Sequence, residues 1–354
     1  SDTGYIKRVP ADTYRTQHRG GVGVIGMATK EEDHVAKLFS ADSHDLIFFI
    51  TDRGFMHWLN VYDIPEGART GKGKAIVNLI KLQQGEQVCA MLTLNREMFE
   101  RPEISIVMAT RRGIIKKTPL SAFKNLRKVG IRALIIEEND DLVSAELADG
   151  SSEIILSTAK GMACRFSETD VRPMGRAARG VTGIKFKLDD DHIVGMEVIP
   201  TGEPPVLTTD PDLPDAIDAE EAEIKEQAAE PGEPEDAEPI EDADDAEGAD
   251  ANDDEEEVVD DGRPQLLVVT SGGMGKRSLV ESYRLTRRGA KGVKNVNLAD
   301  GEVVVAAIQV KPTDEVLITT ERGQIVRTPV KEIRLVGRNS KGVRIMNLRK
   351  NDRI

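Results

Sequence analysis

Cysteine is scarce. Cys89 and Cys164 are the only two among 354 residues, with no C-x-x-C pair and no histidine spacing that suits zinc. That pattern excludes a disulfide framework and a structural zinc site, and it fits a reducing cytosol. Both thiols read as inert core groups. No apolar run approaches the ~18 residues of a membrane helix and no signal-like N-terminus is present, so nothing indicates membrane insertion or export. The five histidines, at 18, 34, 44, 57 and 192, are scattered, and none sits in a serine, cysteine or carboxylate arrangement at catalytic spacing. Aromatic residues make up only 4 %. The apolar positions are therefore mostly Val, Ile, Leu and Ala, in runs of five or six that suit short buried strands, and no segment sustains a 3.6-residue period.

A repeat is what the chain has in abundance. The stretch Gln17-His18-Arg19-Gly20-Gly21-Val22-Gly23 recurs in looser form five more times, each copy preceded by a T-x-x-G-like turn. The turn glycines are Gly4, Gly54, Gly113, Gly161, Gly273 and Gly323, and four residues after each stands Arg8, Trp58, Lys117, Arg165, Arg277 or Arg327. The downstream glycines are assigned as Gly23, Gly73, Gly130, Gly183, Gly292 and Gly342, which lie 19, 19, 17, 22, 19 and 19 residues beyond their turns. Self-similarity at a fixed period outranks the length prior and indicates one array of six units of about 50 residues. Each unit reads as four short strands, for example Leu46 to Thr51, Phe55 to Leu59, Ala75 to Ile80 and Val88 to Leu94. An all-β fold of six four-stranded, propeller-like blades is expected, with blades one to four in residues 1–200 and blades five and six in 264–354. Repeat one opens at its turn and repeat six stops where its last strand would begin, so both termini look cut inside one blade.

The charges are segregated. From Gly202 to Gly262 there are 27 acids against Lys225 alone, a net of −26, whereas the remainder carries 47 Lys plus Arg against 35 acids, a net of +12. Residues 201–263 therefore form an acidic, low-complexity insertion expected to be disordered, with a short helix possible over Asp215 to Ala229. A basic body joined to a polyanion suggests a nucleic-acid partner and a competitor for the same surface.

Two motif matches carry little. Gly21-Val22-Gly23-Val24-Ile25-Gly26 has the G-x-G-x-x-G letters of a dinucleotide site without the preceding strand or following helix. Gly273 to Ser278 lacks the spacing of a phosphate loop and is the fifth repeat's turn. Asp189, Asp190 and Asp191 fit a solvated loop better than a catalytic pair. The recurring basic residues are more informative. Arg15 and Arg19, Arg69 with Lys72 and Lys74, Arg127 with Lys128, Arg179, Arg287 with Arg288 and Lys291, and Arg338 with Lys341 occupy equivalent loops. Such loops lie at one radius of a closed array, so a basic track around one rim is expected, with adjacent glycines admitting a phosphate. Lys and Arg without interleaved aromatics suit phosphate contact more than base readout.

The run Tyr14 to Gly23, with six blade repeats behind it, resembles the C-terminal domain of the bacterial DNA gyrase A family, whose first blade carries a Gln-Arg-Arg-Gly-Gly-Lys-Gly box. The resemblance covers everything outside the insertion and departs from the box at His18 and Val22. Thr286 to Gly292 keeps all three charges. It implies a six-bladed β-pinwheel that wraps double-stranded DNA, with the box role on Gln17, His18, Arg19, Gly20, Gly21, Val22 and Gly23. It also implies a cytoplasmic, non-catalytic module without a cofactor of its own. Such a module works with the rest of the gyrase A subunit, and with the gyrase B subunit, to support negative supercoiling. The four tyrosines, Tyr5, Tyr14, Tyr62 and Tyr283, lie in blades, so no DNA-cleaving nucleophile is assigned. A topoisomerase IV domain and a propeller-type protein-interaction platform remain the alternatives.

Overall fold

The structure is a computed structural model and describes residues 1, 3–10, 41–68, 71–125, 127, 129–201, 260–320, 325–349 and 352–354. The insertion, including the helix expected over Asp215 to Ala229, lies outside the described residues.

Each full repeat is built on a strand buried on both faces. In Leu46–Thr51 the side chains of Leu46, Phe48 and Ile50 enter a core shared with repeat three, while Ile47 and Phe49 enter one shared with repeat one. Ser105–Thr110, Glu153–Thr158 and Gln265–Thr270 divide their side chains in the same way. The apolar clusters thus lie between successive repeats, and a strand buried twice needs an unbroken apolar run. A buried threonine ends each strand because the turn needs its hydroxyl. Thr51 Oγ1 accepts the Phe55 N–H at 3.1 Å and Thr158 Oγ1 accepts that of Met162 at 3.2 Å.

The blades are not made within single repeats. Repeat two supplies Leu46–Thr51 flanked by Phe55–Asn60 and Val88–Leu94, but the fourth strand is Ile131–Arg132 of repeat three, paired with Phe55 and Met56. Val181–Thr182, Val293–Lys294 and Val343–Arg344 join the blades before their own in the same way, and Lys74–Ala75 joins Tyr5–Ile6. The strand expected over Ala75 to Ile80 is therefore corrected to the two residues Lys74–Ala75, followed by a 3₁₀ turn at Ile76–Asn78. It is short because the rest of the outer edge is taken: the connection first runs parallel to that edge, as in Arg8 beside Glu66, Lys117 beside Pro173 and Arg277 beside Leu335. One connection thus covers the outer edge of Phe55–Asn60, Ile114–Pro119, Met162–Ser167 and Met274–Leu279 on its way out and back, which blunts that edge against pairing with another chain. On the inner side, Glu146 accepts the Val198 N–H and Glu197 that of Gln309, both at 2.9 Å, pinning neighbouring inner strands together.

Buried cations hold the exchanged segments. Three residues beyond the turn glycine, fully buried Lys116 reaches the carbonyls of Ala133 and Arg176 at 2.8 and 2.5 Å. Lys276 reaches those of Gly337, at 2.9 Å, and Arg338, and Lys7 those of Ala68 and Gly71 at 3.0 and 2.8 Å. One residue further, the next side chain clamps the 3₁₀ turn of the following repeat. Arg8 binds the Ile64 carbonyl at 2.8 Å, Lys117 that of Glu168 at 2.9 Å, Arg165 that of Tyr283 at 2.9 Å and Arg277 that of Ile333 at 2.6 Å. In repeats one, three, four and five the charge beside the turn is therefore a strut between repeats. Repeat two differs: it has His57 and Trp58 at these positions, both with buried ring nitrogens that have no hydrogen-bond partner among the described residues.

Glu168, 1 % exposed, is pushed up from 4.5 to about 6 by burial, against the opposing charge of Lys117. A carboxyl raised on folding contributes stability below its unfolded value and loses that contribution as pH rises through the folded one. Glu168→Gln is expected to add about 1–2 kcal/mol to unfolding stability at pH 8 and close to nothing at pH 4, as read by urea melts at the two pH values.

Candidate nucleic-acid interface

The exchanged segments run along the outer edge and touch head to tail. The N–H five residues after each box glycine bonds the carbonyl two residues before the next: Ile135 to Ala178, Lys185 to Ala290 and Asn297 to Ser340, at 3.3, 3.1 and 3.4 Å. This register corrects the fourth repeat. Its box glycine is Gly180, not Gly183, because Gly180 has φ of +96° and stands directly before the exchanged strand Val181–Thr182, as Gly73, Gly130, Gly292 and Gly342 do before theirs. The spacing from Gly161 becomes 19, as in repeats one, two, five and six. The residue four before the glycine is then Arg176, and Arg179 moves to the position immediately before it.

Regrouping the cations separates two classes. Four residues before the box glycine, Arg288 donates to the carbonyls of Asp170 at 2.9 Å and Thr182 at 3.4 Å, and Arg338 to that of Lys294 at 3.1 Å. Both are half-buried and tie one box to the previous one, so beside the rim position expected of them they bridge successive boxes. Immediately before the glycine stand Lys72, Arg179, Lys291 and Lys341, with Val129 in repeat three. Lys291 and Lys341 are exposed, Lys72 lies over the Tyr5 ring at 3.8 Å, and Arg179 pairs with Glu137 at 3.1 Å. Lys74, Arg127 and Arg287 are also exposed. Arg15, Gln17, His18, Arg19, Gly20, Gly21, Gly23, Arg69 and Lys128 lie outside the described residues.

A second exposed series was not anticipated. Arg132, Lys294 and Arg344 each stand two residues after a box glycine on the exchanged strand. Arg132 lies over the Phe55 ring at 4.4 Å and Lys294 donates to Asn297 at 3.0 Å. The signal was in the sequence, since the residues recur at a fixed offset. Arg172, Arg284 and Arg334 form a further exposed series beside the 3₁₀ turns. Among the described residues no group of three or more His, Cys, Asp or Glu could hold a metal, and no helix is long and apolar enough to cross a membrane. What the described surface offers is positive charge that recurs at equivalent positions of successive repeats.

The box glycines serve docking. A Cβ on Gly342, at φ of +83°, would meet the Gly275 carbonyl oxygen at 2.6 Å, and one on Gly73 that of Ile6 at 2.5 Å. Close approach to the preceding blade, not to a phosphate, is what excludes a side chain.

The family profile "DNA gyrase C-terminal domain, beta-propeller" matches residues 1–42, 45–95, 105–149, 152–200, 264–311 and 314–354. The DNA gyrase A subunit of Haemophilus influenzae is 34 % identical over 324 residues, covering 89 % of this chain and 32 % of that protein. The chain thus spans about a third of that relative's length. A solved topoisomerase IV C-terminal domain is similar at TM-score 0.68 and 21 % identity, covering 98 % of this chain and 86 % of that one. A solved DNA gyrase A C-terminal domain is similar at 0.63 and 21 %, covering 99 % and 94 %. At that identity the two structures establish the fold alone.

Gly301 also has positive φ, of +76°, but nothing lies within 4 Å of where its Cβ would be. Gly301→Ala should therefore cost only the ~1–2 kcal/mol of a left-handed alanine. Gly342→Ala should cost about 2 kcal/mol more, measured by chemical denaturation of the two variants.

Proposed function

Since the chain belongs to the DNA gyrase C-terminal domain, beta-propeller family, we propose that it binds double-stranded DNA along its outer edge and wraps it, supporting negative supercoiling by a type IIA topoisomerase. The observation that carries this reading is the exposed cation series on box segments joined head to tail: Lys291 and Lys341 before the glycines, Arg132, Lys294 and Arg344 after them. Cations repeated at each blade suit the regular phosphate array of a duplex, and few neighbouring groups could read base edges. The matched relatives being gyrase A subunits favours gyrase over topoisomerase IV. The rest of the gyrase A subunit, together with the gyrase B subunit, would supply strand cleavage and ATP use in the cytoplasm. In this chain Tyr283 is fully buried and its hydroxyl donates to Asn295 Oδ1 at 2.6 Å, with burial raising its pKa, so it does not serve as a nucleophile.

Contact with ~6–10 phosphates should lower affinity ~10³–10⁵-fold between 50 and 200 mM salt. Binding indifferent to salt would instead support a protein-interaction platform. Replacing Lys291, Lys294, Lys341 and Arg344 by Ala should flatten the slope of log affinity against log salt by ~0.9 per lost contact. Arg288→Ala should mainly reduce stability.

The insertion gives the reading a regulatory side. Its net of −26 against +12 for the blades, tethered at both ends, places a polyanion near the cations at an effective concentration that reaches the millimolar range. A solvated linker is the competing role. Deleting residues 203–259 should strengthen DNA binding most at low salt, where screening is weakest. Equal affinity at every salt concentration would leave the linker role.

A further inference from the structure

The C-terminal root of the insertion is built into the blades. In repeat four the strut Arg165 is neutralised by Glu153, the first residue of its neighbouring strand, with Nε to Oε2 at 2.7 Å. In repeat six Arg327 pairs with Glu315, which opens its strand in the same way. Repeat five breaks the pattern. The residue opening that strand is Gln265, which accepts from Arg277 Nη1 at 2.8 Å but carries no charge. The missing carboxylate comes from Asp260, the first described residue at the C-terminal end of the insertion. Its Oδ2 accepts from the same Nη1 at 2.8 Å, and its Oδ1 accepts from Gln265 Nε2 at 2.7 Å.

Arg277 is 4 % exposed, and it is the strut on which repeat six docks. Its Nε donates to the Ile333 carbonyl at 2.6 Å, its own N–H donates to the Arg334 carbonyl at 2.9 Å, and its carbonyl accepts the Val336 N–H at 2.9 Å. A buried guanidinium that loses the one carboxylate paired with it among the described residues is left there with neutral acceptors, and the contacts it organises open more readily. Asp261, one residue on, pairs with exposed Arg263 instead and touches none of this.

We propose that Asp260 is a positioning residue: by neutralising Arg277 it fixes repeat six, and with it Arg338, Lys341 and Arg344, relative to repeat five. The insertion has thereby taken over a charge that repeats four and six supply from their own strands, so its C-terminal end is tied into this joint. The effect on DNA rests on the reading given under Proposed function; the effect on the joint does not.

The test uses the whole chain in four forms: wild type, Asp260→Asn, Gln265→Glu, and the double variant, which restores the acid at the position of Glu153 and Glu315. Amide exchange at Val336 without DNA should quicken roughly tenfold or more in Asp260→Asn and return towards wild type in the double variant. Wrapping, read as constrained supercoils at fixed protein concentration, should follow the same order. Unchanged exchange in Asp260→Asn, or no rescue by Gln265→Glu, overturns the proposal. Rescued exchange with wrapping identical in all forms overturns the positioning of DNA-facing cations. If wild type constrains no DNA, the DNA reading fails while the exchange result still judges the joint. Should Asp260→Asn not fold, two deletions decide: removing 203–259 should leave Val336 exchange unchanged, and removing 203–261 should accelerate it unless Gln265→Glu is present.

Discussion

The structure depends on buried cations that bind backbone carbonyls of the next repeat. A two-residue strand exchanged between blades offers too few hydrogen bonds to hold itself, and fixing its backbone costs about 1–2 kcal/mol per residue. Lys276 offsets this by gathering two carbonyls of the incoming loop and Lys116 by joining one of them, Arg176, to Ala133 of its own repeat, while Arg8, Lys117, Arg165 and Arg277 cap the 3₁₀ turn that leads into it. Desolvating such a charge is expensive, so it persists only where acceptors and counter-charges are fixed around it. The cores between repeats, the docked glycines and the head-to-tail boxes all presuppose that geometry.

The same constraint sorts the positive charge. Struts and box arginines spend their hydrogen bonds on the protein, so the body's net of +12 overstates what a ligand meets. Among the described residues, the outward-facing cations are carried on the exchanged strands, on the box residues before them and beside the 3₁₀ turns. Their spacing is set by blade-to-blade docking, so a bound polymer would meet a rigid template. Preorganised cations lose little entropy on binding, and a duplex following them is bent by the template instead of deforming it.

Much of this was legible in the sequence. The turn glycine, the box glycine and the charge beside the turn gave the repeat number and an all-β array. The first-strand runs, such as Leu46–Thr51 and Gln265–Thr270, showed their double burial as unbroken apolar stretches. Strand exchange was not legible, because Ile131–Arg132 has no periodicity and its partners Phe55 and Met56 stand in another repeat. In repeat four Gly175, Gly180 and Gly183 compete for one role, and only φ and the neighbouring strand identify Gly180. The charges beside the turns marked a position without revealing that most point inward. Arg132, Lys294 and Arg344 recur as faithfully as the residues that were singled out, but they lie in strands where attention to loops misses them.

If the outer edge imposes a curved path on duplex DNA, sealing nicked circles in its presence records that path as a change in linking number. Nicked plasmid is sealed in the presence of increasing amounts of this chain, then deproteinised, and its linking number is read on a gel. A chiral wrap predicts a shift of one sign that grows with bound protein until the plasmid is saturated. A linking-number distribution identical to that of plasmid sealed alone, under conditions where the protein is shown to be bound, would contradict it.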